Sequence, residues 1–149
     1  MNSKNKIIIF LALATFIFLS NSVFAEITFS SGLIKKNIPG KNITSGFVSI
    51  NSNTQISLID ITSPLFDKIE VHSMKIEKNN DGDEIMRMRK LETIIIKPNL
   101  TLELKKGGDH IMFYGLKRDL IPNEQISLKF TFHDQDNKLI NKDELFQVQ

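Results

Sequence analysis

From Glu26 onward the sequence predicts an all-β, single-domain fold, either a two-sheet β-sandwich or a Greek-key barrel. Three observations carry that expectation. Short segments rich in Ile, Val, Phe and Thr follow one another, separated by Gly, Pro, Asn and Asp, and no stretch sustains a helical period. Turn signals recur at the close spacing of sandwiches and barrels. The chain has no cysteine, so an exported form has no disulfide to lean on and must rest on its core.

The elements follow in order. Lys4 and Lys6 lead into an apolar run from Ile7 to Leu19 interrupted only by Thr15, and Val23-Phe24-Ala25 then sets small residues at the two positions a signal peptidase reads. Residues 1–25 are therefore expected to be a cleaved signal peptide, because the run falls short of the about 20 apolar residues that span a membrane. The mature domain is residues 26–149, enough for one core and not for two. Its β-branched and aromatic segments predict strands at Ile27–Ile34, Gly46–Asn51, Ile56–Thr62, Lys68–Ile76, Ile85–Lys90, Thr93–Ile96, Thr101–Lys105, Ile111–Leu116 and Ile126–His133. Between them, Pro39-Gly40, Asn79-Asn80-Asp81-Gly82, Lys97-Pro98-Asn99, Gly107-Gly108 and Pro122-Asn123 supply residues suited to φ > 0 or to a fixed φ. The Lys- and Asp-rich end from Asp134 is expected to fray.

Charge and composition exclude several function classes. Of the 19 Lys and Arg, Lys4 and Lys6 lie in the leader, which holds no acid, so the mature domain balances 17 bases against 17 acids. Nothing in that balance asks for nucleic acid or an anionic membrane, and Arg87-Met88-Arg89-Lys90 reads as the solvated side of a strand. The lack of cysteine removes thiol nucleophiles, dithiol redox chemistry and blue-copper sites. No nucleophile motif is present, and Glu26 at the mature terminus cannot act as the terminal His ligand of copper oxygenases. The chain is not expected to be an enzyme.

One constellation stands out. Side chains two apart in a strand share a face, and His72 with Met74, Met86 with Met88, and His110 with Met112 are three such pairs. The first two pairs flank the Asn-Asn-Asp-Gly turn and so belong to adjacent antiparallel strands. Thioether and imidazole are neutral ligands, and soft sulfur donors favour Cu(I) over hard cations, so this set can bind copper without cysteine. His133, in Phe132-His133-Asp134, has no Met beside it and reads as structural or solvated. The competing reading is an exported β-sandwich interaction module that holds no metal, with the Met and His set packed as core.

The spacing resembles the PCu(A)C family of periplasmic copper chaperones, whose signature runs His, ten residues, Met, twenty-one residues, His, one residue, Met. Met88 and His110 are separated by 21 residues and Met112 follows one residue later, so that half fits in full. Val71-His72-Ser73-Met74, Met86-Arg87-Met88-Arg89, the Gly107–Lys117 stretch, Pro39-Gly40 and Phe47-Val48-Ser49-Ile50-Asn51 are also similar to the family's recurring text. The departure is the first interval: 15 residues lie between His72 and Met88, because the turn region from Lys78 to Glu84 is longer. If Asn80-Asp81-Gly82 forms a short loop with a Gly bulge, Met74 faces Met88 directly and His72 lies on the diagonal.

The resemblance implies a cupredoxin-like β-sandwich in the periplasm that binds one Cu(I). It implies delivery of copper to an accepting protein such as cytochrome c oxidase subunit II or another copper chaperone. It also implies His72, Met88, His110 and Met112 as copper ligands. Met74 and Met86 are supporting or substitute sulfurs, Met74 standing in for His72 if the longer hairpin displaces it. Ile111 and Phe113 are expected to face the core, and the protein is expected to be a monomer.

Overall fold

A computed structural model describes residues 25–78 and 81–149. The expected signal peptide, Ala25 apart, and Asn79-Asn80 of the hairpin turn lie outside the described residues. The described residues form strands and no helix: β1 (Ile27–Ile34), β2 (Ile43–Ser52), β3 (Ile56–Thr62), β4 (Lys68–Lys78), β5 (Glu84–Leu91), β6 (Ile94–Ile96), β7 (Leu102–Leu104), β8 (His110–Tyr114), β9 (Gln125–His133) and β10 (Leu139–Val148). They hydrogen-bond in the order β5-β4-β8-β2-β1-β10-β9-β3-β6, with β7 paired to β2 beside β8.

This is a single-domain β-sandwich. The path divides at β1, where the register shifts between Ser30 and Leu33 and Ser31 takes a φ of 58°. Beyond that bulge, Leu33 and Ile34 turn to pair in parallel with Gln147 and Val148 of β10, which joins the two halves of the sandwich. Inward residues alternate with outward ones most regularly along β2 and β9. In β2, Val48 and Ile50 are buried between half-buried neighbours, and in β9, Leu128, Phe130 and Phe132 are fully buried between Lys and Thr positions. Aromatic packing ties the halves together: the Phe29 ring of β1 lies 4.9 Å from Phe130, and Phe130 stacks at 5.9 Å on Phe146 of β10.

Every predicted strand is present with small shifts of its ends. The predicted turns at Pro39-Gly40, Lys97-Pro98-Asn99, Gly107-Gly108 and Pro122-Asn123 contain Gly40, Asn99, Gly107 and Asn123, all at positive φ. The strand expected to reach Leu116 stops at Tyr114, because Gly115 adopts a φ of +66° and a Cβ there would meet the Cβ of Asp67 at 2.6 Å. The fraying expected from Asp134 is incorrect. β10 pairs with β9 over nine residues and buries Phe146 and Val148 completely, so a face that starts as Ile140, Lys142 and Glu144 ends in two core residues.

Candidate metal centre

Strands β5, β4 and β8 lie side by side in that order and carry Met74, Met86, Met88, Met112, His72 and His110. Their inward faces hold Val71, Ile111 and Phe113, which are buried in the core as the alternation requires. The His and Met side chains therefore share the outward face. Register brings them together: His72 is directly opposite His110, and Met74 is directly opposite Met88. Met112 lies two residues along β8 from His110, diagonal to His72 and opposite Glu70. Side chains directly opposite in a ladder have Cβ atoms about 4.5–5.5 Å apart, so imidazoles and thioethers from three strands can converge on one ion.

The longer hairpin does not displace this base. β4 and β5 stay in register out to Lys78 opposite Glu84, and Gly82 in the turn takes a φ of +89°. Met88 falls diagonal to His72, as expected if the extra residues lie in the turn. Met86 sits one step further toward the turn, opposite Ile76 and 65% exposed, at the margin of the cluster. His133 pairs with Ser57 and Leu139 in the other half of the sandwich and takes no part.

Three strand contacts hold the geometry. Gly46 of β2 lies opposite Ile111, and a Cβ there would come within 2.7 Å of Phe113, so the missing side chain lets β8 pack closely. At the far end of the pair, Asp67 N–H donates to the Tyr114 carbonyl at 3.0 Å, tying the start of β4 to the end of β8. His110 is only 7% exposed, and its Nδ1 lies 2.8 Å from the Gly108 carbonyl, which orients the ring from its own turn.

The surroundings of His72 contain groups the sequence pattern did not single out. Glu70 Oε2 lies 2.9 Å from His72 Nε2, and Tyr114 Oη lies 3.4 Å from the same nitrogen. The His72 hydrogen bond holds the Glu70 carboxyl below the usual carboxylate range. Burial opposes that shift, and Lys68 at 3.2 Å and Lys90 at 3.7 Å add to it. The signal was available: Glu70 and His72 are two apart in a strand and so share a face. Tyr114, four residues from His110, closes the same face from β8, with the Lys68 ammonium 4.7 Å from its ring centroid.

The set fits a soft metal. Among the described residues no three or more His, Cys, Asp or Glu gather as a metal site of their own, so a metal held here would rely on the thioethers. Among the described residues no methionine belongs to the buried core: Met86 and Met88 are 65% and 57% exposed, and Met74 and Met112 are half-buried. Six sulfur and imidazole donors thus stand on one outward face, with His110 at its closed side and Met88 at its open side.

A family model, LpqE-like, a lipoprotein family, matches residues 27–141. The chain belongs to the LpqE-like family. This LpqE-like chain is 31% identical over 109 residues to an uncharacterized protein of Rickettsia prowazekii, a match covering 70% of this chain. It spans 58% of that relative's length. Its fold is that of PCuAC domains. It is similar to the copper-bound PCuAC domain of PmoF2, with a TM-score of 0.60 at 10% identity over 85% of this chain and all of that one. It is similar to apo-DR1885 of Deinococcus radiodurans, with a TM-score of 0.57 at 20% identity over 87% of each chain.

Proposed function

We propose that this LpqE-like protein binds one copper ion as Cu(I) through His72, Met88, His110 and Met112 and passes it to a copper-accepting protein in the periplasm. The observation that carries this reading is the register across β5, β4 and β8, which collects imidazoles and thioethers on an outward face while leaving the core free of methionine. Neutral, soft donors suit Cu(I), and a site without thiolate survives in an oxidising compartment. The shared fold with a copper-bound PCuAC domain supports the same ligand chemistry. Export rests on the leader-like residues 1–25 and on membership of a lipoprotein family.

The arrangement suits transfer as well as binding. Met88 is 57% exposed on β5, an edge strand of the sheet order, whereas His110 is 7% exposed. A partner's ligands can displace the outer thioether first while the inner imidazole keeps hold, so copper never has to leave as a free ion. Cytochrome c oxidase subunit II or a second copper chaperone is the proposed recipient class. The interaction-module reading needed the Met and His set as core; His110 is buried, but Met112 is half-buried and Met86 and Met88 are exposed, which speaks against it.

The test is a Cu(I) titration of residues 26–149 against a competing chelator, with bound metal read by mass spectrometry. One copper per chain is expected, lost in His110→Ala and Met112→Ala variants that unfold cooperatively. Copper uptake unchanged in both variants would overturn the assignment.

A further inference from the structure

The two histidines that face one another across β4 and β8 are held in opposite ways. His110 Nδ1 lies 2.8 Å from the Gly108 carbonyl, which can only accept, so Nδ1 carries the proton and Nε2 keeps the lone pair. His72 Nε2 lies 2.9 Å from the Glu70 carboxylate, which when ionised also only accepts, so here Nε2 carries the proton and Nδ1 keeps the lone pair. Glu70 is well placed to enforce this. Its side chain is 12% exposed, that of His72 is 15% exposed, and Lys68 and Lys90 flank Glu70 on the other oxygen. Neither remaining nitrogen hydrogen-bonds to another described residue, and among the described residues no buried side-chain nitrogen or oxygen is left unpartnered, so neither is sealed from solvent.

We infer that Glu70 is the positioning residue of the copper site: it fixes His72 as the Nε2–H tautomer and presents Nδ1 to the metal, while His110 presents Nε2. This rests on the copper-binding reading above and adds to it the coordinating atom of each ring and the residue that selects it. A carboxylate behind a ligating imidazole orients the ring and raises its basicity, and losing such a partner lowers metal affinity roughly 10–100-fold. The consequence is an asymmetric pair, one imidazole steered by a side chain that substitution can remove and the other by a main-chain carbonyl that it cannot.

The test begins on metal-free, 15N-labelled protein at a pH where the imidazoles are neutral, with long-range proton–nitrogen spectra assigning the tautomer of each ring. Expected are Nε2–H for His72 and Nδ1–H for His110, with Glu70→Ala shifting His72 toward the other tautomer and leaving His110 as it was. Cu(I) competition should then show a loss of roughly 10–100-fold in Glu70→Ala. Glu70→Gln, which keeps the shape and one acceptor oxygen, should keep the tautomer and recover much of the affinity. His72 found as Nδ1–H in the wild type, or Glu70→Ala binding copper within twofold of it, overturns the inference. A wild type with the expected tautomers that takes up no copper overturns the proposed function and upholds the tautomer assignment, so the two failures are distinct.

Discussion

At the scale of single residues, exposure separates ligand from core. Met88 is 57% exposed, so Met88→Ala should change stability by less than about 1 kcal/mol, as surface substitutions usually do. Its Cu(I) affinity should nonetheless fall at least tenfold, a larger change than its packing could account for. Phe130→Ala, at a fully buried position, should cost about 3–5 kcal/mol. Urea midpoints and chelator competition on the two variants check the contrast, and a Met88→Ala midpoint as low as that of Phe130→Ala would place this methionine in the core. Glu70 supplies a pH test. Its carboxyl is held below the ordinary value of 4.5, chiefly by His72, with Lys68 and Lys90 beside it and Tyr114 Oη near the same ring nitrogen of His72. The unfolded state then takes up the proton first, so the ionised group stabilises the fold above that value and this contribution is lost as pH falls toward the lowered one. The stability difference between wild type and Glu70→Gln should therefore favour wild type near pH 7 and shrink below about pH 4.5. A difference that stays constant on acidification would show that the charge contributes nothing.

Elements set what the residues can reach, and the hairpin of β4 and β5 is the clearest case. Pairing of Glu77 with Ile85 and Met74 with Met88 belongs to one register, whose last pair is Lys78 with Glu84. Replacing residues 78–84 by Asn-Gly gives a two-residue type I′ turn that keeps this register. The shortened protein should retain Cu(I) affinity within a few-fold of wild type, measured by the same competition. A one-residue slip instead sets Arg89 against Met74 and turns Met88 to the opposite face, so loss of copper binding in a folded short-turn variant would show that the longer turn shapes the site. The hairpin's register was legible in the sequence because the turn residues and the two Met-containing strands are contiguous. Its neighbour on the other side was not: β8 follows β4 by several strands, and nothing local says that His110 should stand opposite His72 rather than one step along.

Across the whole molecule, β10 decides whether the sandwich closes. Among the described residues it is the only strand that pairs with both β1 and β9, and Phe146 and Val148 enter the core from it. Phe146 also packs on Gly32 beside the β1 bulge, where a Cβ would come within 3.1 Å of the ring. Phe146→Ala should cost about 3–5 kcal/mol, and a chain ending at His133 should lose cooperative unfolding altogether, read by circular dichroism on heating. A truncated chain that still melts in one sharp transition would show that the halves close without it. Copper should partly rescue Phe146→Ala, because a ligand that binds only the folded state raises apparent stability by mass action.

The β class, the strands from β1 to β9, the turns and the donor chemistry are legible in the order of residues alone. Those follow from local physics: side chains alternate along a strand, Gly and Asn take positive φ, and thioethers are soft whatever surrounds them. Tertiary structure alone decided that β10 exists as a core strand, that His72 meets His110, and that Glu70 and Tyr114 stand against His72. These are pairings between segments far apart in the chain, chosen by which faces can be buried together over one core. A stretch such as Lys138–Val148, polar at most positions, becomes a core strand only once β1 and β9 are there to cover Phe146 and Val148.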